Sequence, residues 1–178
     1  MESFKQMSNA EKIKNRAEKI RNSLGFEWVD LEGRSILDVG SGCGEFVQEA
    51  RKHGIDAYGV DESHPNELRR PERLGYTTNE GANNEGLVVG NADSLPFEDD
   101  RFDYVSSHAS VPLMGRPTEE SISRHVNEML RVVKVGGEVR ISPFKENPPY
   151  EHFRLAQEKL LSLYPNTVRM DDYAVLRK

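Results

Sequence analysis

The chain switches between two hydrophobic periods, and the switches predict its elements. Ile13, Ala17, Ile20 and Leu24 fall at i, i+4, i+7 and i+11 of an otherwise charged segment, which is one apolar stripe along a helix. Ser8 or Asn9 can cap its start and Gly25 can end it. The run Ser35 to Val39 is strand-length and apolar, and it leads into three glycines, Gly40, Gly42 and Gly44. A helix follows with Phe46, Val47 and Ala50 inward and Gly54 as its stop. Ala57 to Val60 is a second strand ending on Asp61. Residues 62–86 are rich in Pro, Gly and Asn. A short helix fits Asn66 to Leu74, and 75–86 read as loop.

Leu87 to Val89 is a third strand, short and apolar enough to be buried on both faces, and Phe102 to Val105 is a fourth, with Ser106 to Ala109 after it. Thr118 caps a helix whose apolar face is Ile122, Val126, Met129, Leu130 and Val133. Gly136 and Gly137 end that helix and start a fifth strand, Glu138 to Ile141. A last helix carries Phe153, Ala156, Leu160 and Leu163, and the segments Thr167 to Met170 and Tyr173 to Leu176 read as a terminal hairpin. Strands that alternate with helices predict an α/β fold, a parallel sheet covered by helices on both faces. Ligands of such sheets bind beyond the carboxyl ends of the strands, so the chemistry is expected there.

Three glycines in five residues let the backbone turn sharply and approach a ligand closely. The dinucleotide fingerprint would need its third glycine at position 45, which is Glu45, and a carboxylate there opposes a pyrophosphate at the helix N-terminus. The P-loop ending Gly-Lys-Ser/Thr is missing as well. The loop therefore suits a ligand without phosphate. Asp61, 17 residues after Gly44, is placed to accept a ribose diol or to cap the next helix. Asn91 and Asp93, after the third strand, can accept from an adenine amino group or close an Asx turn.

The chain has 178 residues, a single domain by length, and one cysteine, Cys43, which rules out an internal disulfide and a cysteine-based zinc cluster. No apolar run approaches the roughly 18 residues of a membrane span, and the start is too polar for a signal peptide. A reducing, cytoplasmic setting is expected. The net charge of −6 gives no global attraction to nucleic acid. The charge is uneven: residues 1–25 hold six basic and three acidic side chains, whereas 79–103 hold seven acids and one arginine. Both runs are either solvated surface or a basic lid beside an acidic rim.

Read together, the segments Ile36 to Gly44, Tyr58 to Asp61, Gly90 to Phe97, Phe102 to Val105 and Leu130 to Gly137 resemble, in order, the motifs of class I S-adenosylmethionine (SAM)-dependent methyltransferases, most closely the small type-11-like members. The resemblance covers about residues 24–142. It implies a Rossmann-like sheet with parallel strands and a C-terminal antiparallel hairpin, over one domain, 1–178; the helix in 1–25, with Phe4 and Ile13, is a candidate cover for the cofactor site. It implies SAM as cofactor. Asp38, Gly40, Gly42 and Gly44 are then expected around the methionine part, Asp61 at the ribose, and Asn91, Ala92 and Asp93 at the adenine, with Ser41, Glu62 and Ser107 also among the expected cofactor-binding residues. The family's usual Gly-Asp-Ala reads Gly90-Asn91-Ala92 here, and the Asn carbonyl can still accept the same bond. His108 follows the fourth strand and is the candidate general base. Asn147 to Tyr150 matches the Asn-Pro-Pro-Tyr motif of amino-methylating enzymes, but after the fifth strand instead of the fourth. The expected partner is a small-molecule acceptor, with nucleic acid and membrane disfavoured and a homodimer left open. The alternatives are a non-catalytic SAM binder of the same fold and, with Glu45 against it, a nicotinamide-dependent oxidoreductase.

Overall fold

Seven strands form one mixed sheet in a computed structural model that describes residues 7–63, 85–148 and 150–178. The strands are β1 (Ser35–Val39), β2 (Asp56–Asp61), β3 (Leu87–Val89), β4 (Phe102–His108), β5 (Val133–Ser142), β6 (Val168–Arg169) and β7 (Ala174–Arg177). Their order is β3-β2-β1-β4-β5-β7-β6. The first five are parallel, β7 runs antiparallel to β5, and β6 antiparallel to β7. The helices are α1 (Asn9–Ser23), α2 (Glu45–Lys52), α3 (Glu119–Val132) and α4 (Glu151–Leu163), with a 3-10 turn at Trp28–Leu31. The chain order turns back at β1, with β2 and β3 on one side and β4 and β5 on the other. A crevice at the carboxyl ends of β1 and β4 follows from that reversal.

The period-2 alternation of the strands divides the core between the two faces. Ile36 and Ala57 face a cluster with Ile20, Leu24, Phe46, Val47 and Ala50, built from α1 and α2. Leu37, Val39, Val60, Val105, Val139 and Ile141 face the other way, onto Ile122, Val126, Met129, Phe153 and Leu160 of α3 and α4. The α1 stripe is buried as its spacing predicts, and burial of each such side chain contributes roughly 1.5–3 kcal/mol. Ser8 and Glu11 make a capping box at its start. No helix among the described residues is long and apolar enough to cross a membrane.

Three expectations are corrected. β4 does not stop at Val105. It runs on through Ser106 and Ser107 to His108, because both serine hydroxyls find acceptors, the buried Asp38 and the Val111 carbonyl. β5 starts at Val133, which leaves the α3 face to pair with Phe102, and a register irregularity absorbs the residues before the ladder resumes at Tyr104 and Glu138. β3 is the sheet edge among the described residues, so Val89 is exposed, not buried on both faces. The helix expected at Asn66 to Leu74 and most of the loop after it lie outside the described residues.

Candidate active site

The turn from β1 into α2 builds the site. Gly40 has φ +75° and Gly44 φ +75°, backbone that favours glycine. A Cβ on Gly40 would lie 1.9 Å from Ser110 Oγ, and one on Gly44 2.6 Å from Leu87. The glycines are thus required by close approach from the β4–α3 loop and from β3. The Gly40 and Ser41 amides both donate to the Val60 carbonyl, at 2.8 and 3.1 Å, which ties the loop to the end of β2.

Two cavities open at the carboxyl edge, one on each side of Gly40. The first, about 240 Å³, is lined by Asp38, the loop from Gly40 to Cys43, Glu45 and His108, and is closed from above by Arg16 and Ile20 of α1. The second, about 210 Å³, is lined by Asp61, Glu62, Ser63, Ala92, Ser110 and Val111. The helix over the first cavity is therefore the N-terminal one.

The charges of the first cavity are unusual. Asp38 is buried, with the Ser106 hydroxyl donating to it at 3.2 Å. Burial pushes its carboxyl up to about 7, and the nearby Glu45 and Asp61 add to that push. Glu45 is buried 3.4 Å from Arg16 Nε, and that nitrogen is buried without a hydrogen-bond partner among the described residues. His108 Nδ1 lies 2.8 Å from Ser142 Oγ. Burial, helped by Arg16 and Lys19, depresses its imidazole to about 4, so it is neutral near pH 7. A pair of acids, an under-bonded guanidinium and a glycine cradle have the charges that a zwitterionic amino-acid group would need, acids for an ammonium and Arg16 for a carboxylate.

Asp61 holds the second cavity differently. Its Oδ2 accepts from the Gly42 amide at 3.0 Å and its Oδ1 from the Ser63 amide at 3.1 Å. One carboxylate thus fixes the glycine loop and the start of the next segment, and each oxygen keeps a lone pair for a hydroxyl.

Not every expected residue reaches these cavities. Asp38, Gly40, Ser41, Gly42, Asp61, Glu62, Ala92 and His108 line them. Gly44 shapes the turn as the residue before α2. Asn91 is exposed, and its carbonyl already accepts from the Asp93 amide at 2.7 Å in an Asx turn. Asp93 is held by His125 Nε2 at 2.9 Å and by Arg124 at 3.4 Å, a pairing that pins the loop to α3. Ser107 is buried with its hydroxyl turned to Val111. Tyr150 is exposed, stacked on His152 at 5.6 Å. Arg16, Glu45, Ser106, Ser110 and Ser142 are additions. The acidic run is not a free rim: Asp99 pairs with Arg131, Asp100 with Lys178 and Asp103 with Lys134.

A family profile described as a methyltransferase domain matches residues 37–141. Demethylmenaquinone methyltransferase of Thermobifida fusca (strain YX) is 30% identical over 116 residues, which are 65% of this chain and 46% of that protein. The chain thus spans about half the length of this curated relative. Among solved structures, a protein from Pyrococcus horikoshii OT3 superposes with a TM-score of 0.57 at 23% identity, over 91% of this chain and 68% of that one. A SAM-dependent methyltransferase from Aquifex aeolicus does so with a TM-score of 0.50 at 18% identity, over 95% and 96%. At these identities the two structures speak to the fold alone.

Proposed function

This chain belongs to the methyltransferase-domain family of SAM-dependent enzymes, and on that premise we propose that it transfers a methyl group from SAM to a small-molecule acceptor. The observation that carries the reading is the pair of cavities astride Gly40, one charged for an amino acid and one for a diol. The residues fit the group. Asp38 and Glu45 would face the ammonium, Arg16 the carboxylate, and the loop Gly40–Gly44 the chain between them. Asp61 and Glu62 would take the ribose hydroxyls, with Ala92 and the Asn91 turn beside the base. Asp93 and Ser107 act from behind, by holding the loops that line the pocket.

When bound, SAM supplies a sulfonium-activated methyl carbon open to in-line displacement. The chain has three tasks around it. It aligns the acceptor with that carbon, since orientation supplies much of the rate. It excludes water, and α1 across the first cavity does this. It takes the proton that an acceptor loses, a step this reading gives to His108, which ends β4. An imidazole depressed to about 4 is a weak base. It suits an acceptor whose proton is already acidic, or one that loses it late. Ser142 orients the ring: with Nδ1–H donating to Ser142 Oγ, Nε2 is left free to accept.

A small acceptor is supported by the T. fusca relative, whose name gives demethylmenaquinone, and by the net charge of −6. A single buried cysteine is in keeping with a reducing, cytoplasmic setting.

Calorimetry with SAM, its demethylated product and NAD tests the reading. One-to-one binding of the first two without NAD binding is expected. NAD binding in preference to SAM contradicts it. Binding without methyl turnover across a panel of small acids, phenols and quinols would mark a binding protein instead.

A further inference from the structure

A third cavity, of about 400 Å³, opens between the β4–α3 loop and α4. Arg116 and Pro117 wall one side, and His152, Leu155, Ala156 and Lys159 the other. Its two walls follow β4 and β5, neighbouring parallel strands, so it lies along the same carboxyl edge as the site at Gly40. One loop connects the two places. It leaves β4 at His108, passes Met114 on the rim of the first cavity, and reaches Arg116 on the rim of the third.

The lining is apolar with a cationic end. Leu155, Ala156 and Pro117 offer an apolar wall, and Leu155 is 43% exposed on it. Arg116 and Lys159 form no ion pair among the described residues, whereas most neighbouring cations do. Lys159 Nζ gives one hydrogen bond to the Pro117 carbonyl at 3.0 Å and keeps two N–H groups free. Glu151, the one acid of the lining, is engaged by Arg154 at 2.6 Å. Two cations without carboxylates beside an apolar wall select a ligand with an apolar body and an anionic group.

We propose that this cavity is the acceptor's anchoring subsite, where Arg116 and Lys159 hold a carboxylate or phosphate and Leu155, Ala156 and Pro117 cover an apolar, ring-sized body. The acceptor is then a small organic acid, gripped at its anionic end away from the reacting atom. This deepens the methyl-transfer reading and rests on it, so the test separates the two.

The probes are 1-naphthoate and 1-naphthamide, alike in shape and different in charge, titrated by NMR into protein saturated with the demethylated cofactor product and into protein without it. In the wild type, naphthoate should bind at least tenfold tighter than naphthamide, with amide shifts at Arg116, Leu155, Ala156 and Lys159. The preference should fall to about one in R116Q/K159M. R116E, a change at one exposed side chain, keeps the test open should the double variant fold poorly, and should reduce the preference at least threefold while the product affinity stays unchanged. Equal affinities for the two probes, or a preference untouched by R116E, overturn the subsite. Loss of product binding in the wild type overturns the cofactor reading, and the naphthoate preference in protein without product then judges the subsite by itself.

Discussion

Asp38 and Asp61 are the same side chain at the ends of adjacent parallel strands, and the fold uses them in opposite ways. Asp38 is buried beside Glu45, with the Ser106 hydroxyl as its donor. Asp61 is half-buried at the crevice and accepts two backbone amides, from Gly42 and Ser63. The first acid is kept short of donors, as the proposed ammonium contact requires. The second is already anchored, which keeps it rigid for the proposed ribose contact. Scarcity of donors gives a site its charge preference, and abundance gives it its shape.

The largest expected effect comes from joining the two regions badly. Gly40→Ala puts a Cβ onto Ser110 Oγ at a backbone angle that disfavours it, between the two cavities. SAM affinity should fall by about 100-fold or more, and stability by roughly 1–3 kcal/mol, by calorimetry and thermal melts. Unchanged affinity would show that nothing spans Gly40. Asp61→Ala removes the acceptor of two amides and of the proposed ribose contact. It should weaken SAM binding at least tenfold.

Asp38→Asn should be different in kind. With the wild-type carboxyl near 7, the carboxylate that an ammonium needs is scarce below that pH, so wild-type SAM affinity should rise through about pH 7 and level off above it. In Asp38→Asn that slope should vanish and the affinity at pH 8 should be about tenfold lower. The same carboxyl makes stability depend on pH. A carboxyl raised from 3.8 favours the folded state less once the unfolded chain ionises, so the penalty is absent below about pH 4, grows to about pH 7 and is constant above. The unliganded Asp38→Asn protein should therefore be more stable than wild type at pH 8, on the order of a few kcal/mol, and no more stable at pH 4. The smallest effect is expected from Arg16→Gln. Removing one cation near His108 should lift its imidazole midpoint by a fraction of a unit, read from the ring proton shifts, and weaken SAM a few-fold.

Much of this arrangement is legible in the sequence. The glycine spacing, the acids at the strand ends and the strand–helix alternation are local signals, and each depends on few neighbours. The missed features depend on contacts far along the chain. Ser106 and Ser107 read as loop because a polar pair in a strand is legible only once Asp38 and Val111 are known to receive their hydroxyls. Arg16 had two readings, solvated surface or part of a basic lid, and its partner was not legible. Its place beside Glu45 exists because the buried stripe of α1 packs onto α2 and turns that face over the crevice. Val133 has the spacing of a helix residue and the β-branching of a strand residue, and its partner Phe102 decides the matter. Asn91 had two readings, adenine acceptor and Asx turn, and the Asp93 amide shows the turn formed.

The most direct measurement is an amide NMR titration with the demethylated cofactor product. One equivalent should shift Ser41, Cys43 and Ala109 around the first cavity together with Ser63, Ala92 and Val111 around the second, with one common affinity. Shifts confined to one side of Gly40, or two separate affinities, would contradict it.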